Sequence, residues 1–407
     1  MRVTFLFSGL PHYLVTLLNR LVSVYGMDVS LIIPRERGIS LGEGIRLADT
    51  AASYKFSLHF LEEYPGRLDK PYFRDLHLTL LDISPDILVI GWPYIINFYF
   101  DRRSCKLLRR NNISLVYREI PFDVAPKNQA MKYYRKHPVL DENLEVQNPS
   151  GLKFFLWAFA LNQLRIRYYR LADATMIYAS HGFPIHESFG IPREKIFLTY
   201  NSPDTALIAE IRNRLKNKGM PAPDPARILH VGRLVKWKRV DLLIEAVAIL
   251  AGRHEGVELC IIGSGPEEPY LKEMAQKKAA GAVKFLGGIY DPEQLAGEFM
   301  ASGIYVLAGM GGLSINEAMA YGKPVICSRC DGTERDLVKD GFNGFFFKEG
   351  DVADLAAKIE VLLDDPDLCR TMGENSLSVI EERINIESVT LRFHDCFEYL
   401  RPSGETA

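Results

Sequence analysis

The chain has 407 residues, more than one ordinary hydrophobic core organises, so two domains are expected. Apolar and charged fractions of 47% and 25% are those of a globular protein in water and exclude the disordered and fibrous classes. The formal net charge of −2 argues against nucleic acid as a partner of the whole molecule, although the charge is unevenly spread: 25 Lys+Arg face 20 Asp+Glu up to Thr205, and 24 face 31 beyond it. A basic front half suits an anionic acceptor or an anionic membrane surface, and ordinary surface variation gives the same imbalance.

In chain order, apolar strand signals fall at 3–9 (VTFLFSG), 28–34 (DVSLIIP), 86–92 (DILVIGW), 113–119 (ISLVYRE), 174–180 (ATMIYAS) and 195–201 (KIFLTYN), with helical periodicity between them, as in the segment closed by Gly26. The start of the chain reads as a strand running into a loop and lacks the apolar core and cleavage site of a signal peptide. MKYYRKHP (131–138) mixes bases and tyrosines and reads as a mobile loop or a membrane contact. The stretch 151–173 reads as one long helix with a heavy apolar and aromatic stripe, either buried across a domain face or lying on a membrane interface. No apolar run reaches about 18 residues, so no spanning helix is expected.

The Pro- and Gly-rich stretch NKGMPAPDPAR (217–227) predicts an interdomain connection, with 206–227 taken as the linker between domains at 1–205 and 228–385. After it the strand-helix alternation restarts with RILHVGR, VELCIIG, VKFLG, IYVLA, PVICS and GFFFK. The helical segment at about 386–400 is expected to return to the first domain, and residues 401–407 to fray. Such alternation with near-continuous apolar strands predicts two α/β domains, each a Rossmann-like, doubly wound parallel sheet, facing a cleft.

Six cysteines are scattered, with one close pair, Cys327 and Cys330. No second pair stands at zinc spacing and no thioredoxin-like start precedes them, so reduced thiols in a cytoplasmic protein are the simpler reading, with no metal and no cofactor expected.

Two stretches carry chemistry. In HVGRLVKWKRVDLLIEA (230–246) a strand ends at Val231, Gly232 allows a sharp departure, and Arg233 and Lys238 flank a helix start, a planar fork and a point charge suited to a diphosphate. In AGMGGLSINEAMAYGKPVI (308–326), Gly309, Gly311 and Gly312 let amides approach a ligand, and a helix start follows. Ser314 and Glu317 there are spaced as a capping box, and the alternative is that the Glu317 carboxylate accepts hydrogen bonds from a ribose diol.

These motifs resemble the donor domain of retaining GT-B glycosyltransferases, specifically glycosyltransferase family 4. The resemblance rests on Gly232-Arg233-Leu234 with Lys238, Gly263-Ser264-Gly265-Pro266, Phe285-Leu286-Gly287 with Ile289, the run from Glu317 to Ile326, and Asp340-Gly341-Phe342-Asn343-Gly344. It implies a GT-B fold, donor contacts at Gly232, Arg233, Lys238, Gly263, Ile289, Gly311, Gly312, Leu313, Ser314 and Glu317, and hexosyl-type transfer from a nucleotide-diphosphate sugar to a glycan or lipid-linked hydroxyl. Surface polysaccharide synthesis at the inner membrane face is the implied setting, with peripheral contact to anionic lipid. The family's first motif glutamate falls on Gly309. Its glycine-rich front loop is replaced by Ser8-Gly9-Leu10-Pro11-His12, so Gly9 and His12 are the donor candidates there. Its active-site histidine has no counterpart; Arg118 and Glu119, in Tyr117-Arg118-Glu119-Ile120-Pro121, stand in that region as catalytic candidates beside Arg233 and Lys238. Retention would follow from departure of the diphosphate and uptake of the acceptor proton on the same face, without a strong protein base. The rivals are a nucleotide-sugar binder without turnover and a GT-B-fold epimerase.

Overall fold

The computed structural model describes residues 1–36, 54–120, 124–330 and 332–401; Pro121 and residues 402–407, named above, lie outside them. The chain forms two compact units. One comprises 1–139, 148–200 and the segment from Glu387 onward; the other comprises 140–147 and 201–386.

The first unit is built on a seven-stranded sheet. Its strands are β1 (Arg2–Leu6), β2 (Asp28–Pro34), β3 (Ser57–Leu61), β6 (Ile87–Gly91), β7 (Ser114–Glu119), β8 (Ala174–Ile177) and β9 (Ile196–Leu198), while β4 (Glu63–Pro65) and β5 (Pro71–Phe73) make a separate antiparallel hairpin. The order is β3-β2-β1-β6-β7-β8-β9, every pairing is parallel, and the order reverses direction between β1 and β6. The edge strand β3 escapes the sequence reading because its side chains are only half-buried and it lacks a continuous apolar run. Parallel strands covered on both faces are apolar throughout, and Ile32, Leu88, Ile90 and Leu115 fill the core on one side. On the other side the helix Ile386–Tyr399 lays Phe393 and Phe397 against Phe5, with ring centroids 6.3 and 6.1 Å apart.

The second unit has the order β12-β11-β10-β13-β14-β15, again all parallel. Its strands are β10 (Asp224–Val231), β11 (Glu258–Ile262), β12 (Val283–Gly287), β13 (Ser302–Leu307), β14 (Val325–Cys327) and β15 (Gly344–Phe346). Helices Val240–Ala251 and Val352–Asp364 cover one face with Leu243, Val247 and Ile359 against Ile228, Ile261 and Ile304. The order reverses between β10 and β13, and their outgoing loops hold the candidate site.

Residues 206–227 are not a linker in the expected sense. Most of the stretch is the helix Thr205–Asn217, capped by the Asp204 carboxylate on the Leu207 amide, and β10 starts at Asp224. Pro225 is tolerated because the β10–β13 register is irregular between Asp224 and Ile228, where no ladder donor is required. Residues 131–138, read as a loop, lie mainly in the helix Ala130–Lys136, which packs Tyr134 onto Trp157 of the helix Gly151–Tyr169. The helix Pro366–Glu382 was also passed over, although Asp365 as cap and proline at its first position are its start signal.

Candidate functional site

The second unit's loops are locked by close backbone contacts that only glycine permits. A Cβ on Gly263 (φ +142°) would lie 1.8 Å from the Gly232 carbonyl oxygen, and one on Gly265 would lie 2.4 Å from that of Leu234. The Gly232 amide donates to Ile262 O at 3.0 Å and the Leu234 amide to Ser264 O at 2.9 Å. The turn after β10 is thereby held against the loop after β11.

Lys238 ends a single helical turn, Lys236–Lys238, and its amide donates to Val235 O. Its ammonium lies over Gly311: a Cβ at that glycine, whose φ is +142°, would come within 2.0 Å of Nζ. The cation from one side of the strand reversal therefore meets the flexible backbone from the other. The same approach explains Gly309. A Cβ there would sit 2.0 Å from the Trp237 carbonyl oxygen, which accepts the Met310 amide at 2.9 Å, so this packing has no room for a glutamate at 309. Arg233 carries its guanidinium 5.9 Å from the Trp237 ring centroid and 3.3 Å from Glu142 Oε2. Glu142 lies on the 140–147 segment, and its carbonyl accepts the Trp237 amide. Nothing in the local sequence marks Glu142 as a partner of Arg233, 91 positions away.

The helix Leu313–Ala320 begins after Gly312, and no side chain caps it. The capping-box alternative fails on this register: Ser314 is already the second helical residue, and its hydroxyl is hydrogen-bonded to the phenol of Tyr305, which donates to Val231 O at 3.3 Å. Glu317 is thereby released from a structural task. Burial pushes its carboxyl up to about 7, and no compensating partner is found among the described residues. Ile289, Leu313 and Ser314 are half-buried around the same mouth. Beneath Gly232 lies His230, which the sequence reading did not single out. Its Nδ1 faces Val306 O at 3.0 Å, its Nε2 has no hydrogen-bond partner among the described residues, and burial lowers its pKa to about 4, so the ring is neutral at pH 7. Glu334 ties down the next loop by accepting the Cys330 and Gly332 amides at 3.1 and 2.7 Å, and the neighbouring Thr333 hydroxyl leaves no space for a Cβ on Gly312. Cys327 and Cys330 are not disulfide-bonded.

The first unit treats its candidates differently. Gly9 is buried after β1, and His12 is exposed as the first residue of the helix His12–Tyr25. Along β7 the side chains alternate. Tyr117 and Glu119 point toward the helix Gly151–Tyr169, and Arg118 toward the helix Ile386–Tyr399. Glu119 is not available as a catalytic group. Its carboxylate is buried, accepts from the Tyr169 hydroxyl and pairs with His186 Nε2 at 3.3 Å. Burial opposes its ionisation, but the His186 hydrogen bond and the charges of His186 and Arg165 outweigh burial and hold its pKa below the usual value. His186 sits in the helix Gly182–Ser188 and is fully buried. Among the described residues no group of three or more His, Cys, Asp or Glu side chains is placed to hold a metal ion.

Comparison with known proteins agrees with this layout. Residues 211–379 match the family model of glycosyl transferases group 1. An uncharacterised glycosyltransferase of Methanocaldococcus jannaschii is 30% identical over 196 residues, which are 47% of this chain and 48% of that protein. The chain spans about half the length of the curated relatives it matches. Over its whole length the fold is shared with solved structures. Anabaena HepE in complex with UDP is matched over 98% of this chain and 100% of that one, with a TM-score of 0.66 and 18% identity. Sucrose-phosphate synthase of Thermosynechococcus elongatus is matched over 98% and 99%, with a TM-score of 0.67 and 18% identity. The architecture is thus the GT-B fold, two Rossmann-like parallel-sheet units in one chain.

Proposed function

We propose that this chain is a glycosyltransferase that moves a sugar from a nucleotide-diphosphate donor to a hydroxyl of a glycan or lipid-linked acceptor, with retention at the anomeric carbon. The observation that carries the reading is the placement, at one strand reversal, of the Lys238 ammonium over Gly311 and, on the following helix, of a Glu317 carboxylate with no compensating partner among the described residues. Ligands of open α/β sheets bind outside the carboxyl ends of strands where the order reverses. Arg233 and Lys238 stabilise charge as it develops on the leaving diphosphate, aided by the helix start at Gly312. Above about pH 7 the Glu317 carboxylate accepts hydrogen bonds from the ribose hydroxyls. The UDP complex of HepE and the family match to the second unit support a nucleotide donor. A thermal-shift panel of UDP-, GDP- and ADP-sugars tests the reading: one class should stabilise the chain by mass action, and Arg233→Ala should abolish that shift. No shift with any of them would sink it.

The acceptor reading rests on the helix Gly151–Tyr169. Leu152, Leu156 and Phe159 are 77%, 64% and 61% exposed on one face of this helix, which also exposes Phe155 and Lys153; Arg135 lies over the Phe155 ring at 5.0 Å, and the helix Ala130–Lys136 that carries it also exposes Met131, Lys132 and Lys136. An apolar patch within a basic rim suits the surface of an anionic bilayer, where a lipid-linked acceptor resides. No helix among the described residues is long and apolar enough to cross a membrane, so contact would be peripheral. Co-sedimentation with phosphatidylglycerol vesicles, lost in Leu156→Glu/Phe159→Glu and absent with phosphatidylcholine, is the expected result.

A further inference from the structure

Arg118 lies beside the first unit's own strand reversal. It is the penultimate residue of β7, paired in register with Gly91 at the carboxyl end of β6, and β6 neighbours β1. Its side chain is almost completely buried. Nε, Nη1 and Nη2 are all shielded from solvent, and none has a hydrogen-bond partner among the described residues. The guanidinium is caged by ring faces at 4.4 Å (Tyr178), 5.0 Å (Phe393) and 5.8 Å (Phe7). Cation–π contact offsets only part of what a guanidinium loses on leaving water, and a buried charge without a counter-charge destabilises its fold. The neighbouring carboxylate cannot serve, because strand alternation sends Glu119 to the opposite face and His186 and Tyr169 occupy it. A planar fork with unused donors at the carboxyl edge of a parallel sheet is the half of a bidentate pair that lacks its oxyanion.

We propose that Arg118 is an anion receptor of the first unit, binding a phosphate group of a substrate at the mouth of the seven-stranded sheet, separate from the diphosphate clamp of Arg233 and Lys238. The choice of phosphate rests on the transferase reading, in which donor and lipid-linked acceptor both carry phosphate; the receptor itself rests on the partnerless fork.

The test uses the full chain carrying Arg233→Ala and Lys238→Ala, which removes the second unit's clamp, titrated with inorganic pyrophosphate. Binding should persist there and weaken about tenfold or more on adding Arg118→Met, as for loss of a charge-assisted bidentate contact. The ligand-free melting temperature of Arg118→Met should rise, because an uncompensated buried charge is replaced by an apolar chain. No pyrophosphate binding in the clamp-free chain, unchanged affinity in Arg118→Met, or a lower melting temperature with unchanged affinity overturns the proposal. If Arg118→Met does not fold, Arg118→Lys decides: it keeps the charge without the fork and should weaken binding several-fold, whereas wild-type affinity overturns the assignment. Two arms in the otherwise native chain identify the source of the phosphate. Weaker UDP binding in Arg118→Met assigns the donor, weaker hexyl phosphate binding assigns the acceptor, and no change in either overturns the receptor. A failed transferase reading shows separately, as UDP binding that is indifferent to Arg233→Ala.

Discussion

Each unit carries an arginine and a glutamate near the carboxyl edge of its sheet, and the two pairs are inverted. In the first unit Glu119 is satisfied by His186 and Tyr169, while Arg118 has no hydrogen-bond partner among the described residues. In the second, Arg233 is paired with Glu142, while Glu317 has no compensating charge among the described residues and burial raises its pKa to about 7. A buried carboxylate held below its usual pKa is contributing to stability; one pushed up is a cost that the fold carries, and such costs concentrate where ligands bind. The comparison separates a glutamate tied into the framework from one without a compensating partner among the described residues, although both are acidic residues in mouth-forming segments.

The comparison breaks first at Glu119. Removing one partner of a buried pair leaves the other uncompensated, so Glu119→Ala should cost about 3–5 kcal/mol in the first unit's unfolding by denaturant, while UDP affinity in calorimetry stays at the wild-type value. A large affinity change with little loss of stability would reverse the roles assigned above. Arg233→Ala is the next largest effect: kcat should fall about a hundred- to a thousand-fold in steady-state turnover, with the melting temperature little changed. A loss under tenfold removes Arg233 from the charge-stabilising role.

Glu317→Gln sharpens the comparison through pH. The folded carboxyl titrates near 7 against an ordinary 4.5, so the folded chain holds the extra proton and stability declines as pH rises through that window. The amide has no such penalty. It should be more stable than wild type by up to about 3 kcal/mol at pH 8, converge with it near pH 4, and bind UDP more weakly at pH 8. Chemical denaturation at the two pH values is the check, and an advantage that persists undiminished at pH 4 would exclude this origin. The smallest effect belongs to Glu142. The pair with Arg233 is partly exposed, at 20% and 39%, so Glu142→Ala should tighten UDP binding only a few-fold by removing a competitor for the guanidinium. Weaker binding instead would make Glu142 a positioning residue for Arg233.

Much of the second unit was legible in advance because its requirements are local. Gly263, Gly265 and Gly311 stand where backbones or an ammonium approach too closely for a Cβ, and each strand ends in the loop that carries its contact. The same locality fixes Gly309, since the Trp237 carbonyl occupies the space a side chain there would need. The partners of Glu119, Arg233 and Ser314 were not legible, nor was the lack of a compensating partner among the described residues for Arg118 and Glu317. Each depends on which face of a strand or turn of a helix meets a residue distant in sequence: His186 for Glu119, Glu142 for Arg233, Tyr305 for Ser314 in place of the capping box. The burial of His230 and His186 is not legible for the same reason, as a single histidine carries no periodic signal.

By itself the order of residues determined two parallel α/β units, the glycine-lined mouth of the second and the cations beside it, because strand period, helix starts and glycine geometry act over a few positions. Only the tertiary structure decided which charges are compensated and which are not. Burial and counter-charge are set by segments far apart in the chain, 91 positions for Glu142 and Arg233, and short-range patterning has no influence at that distance.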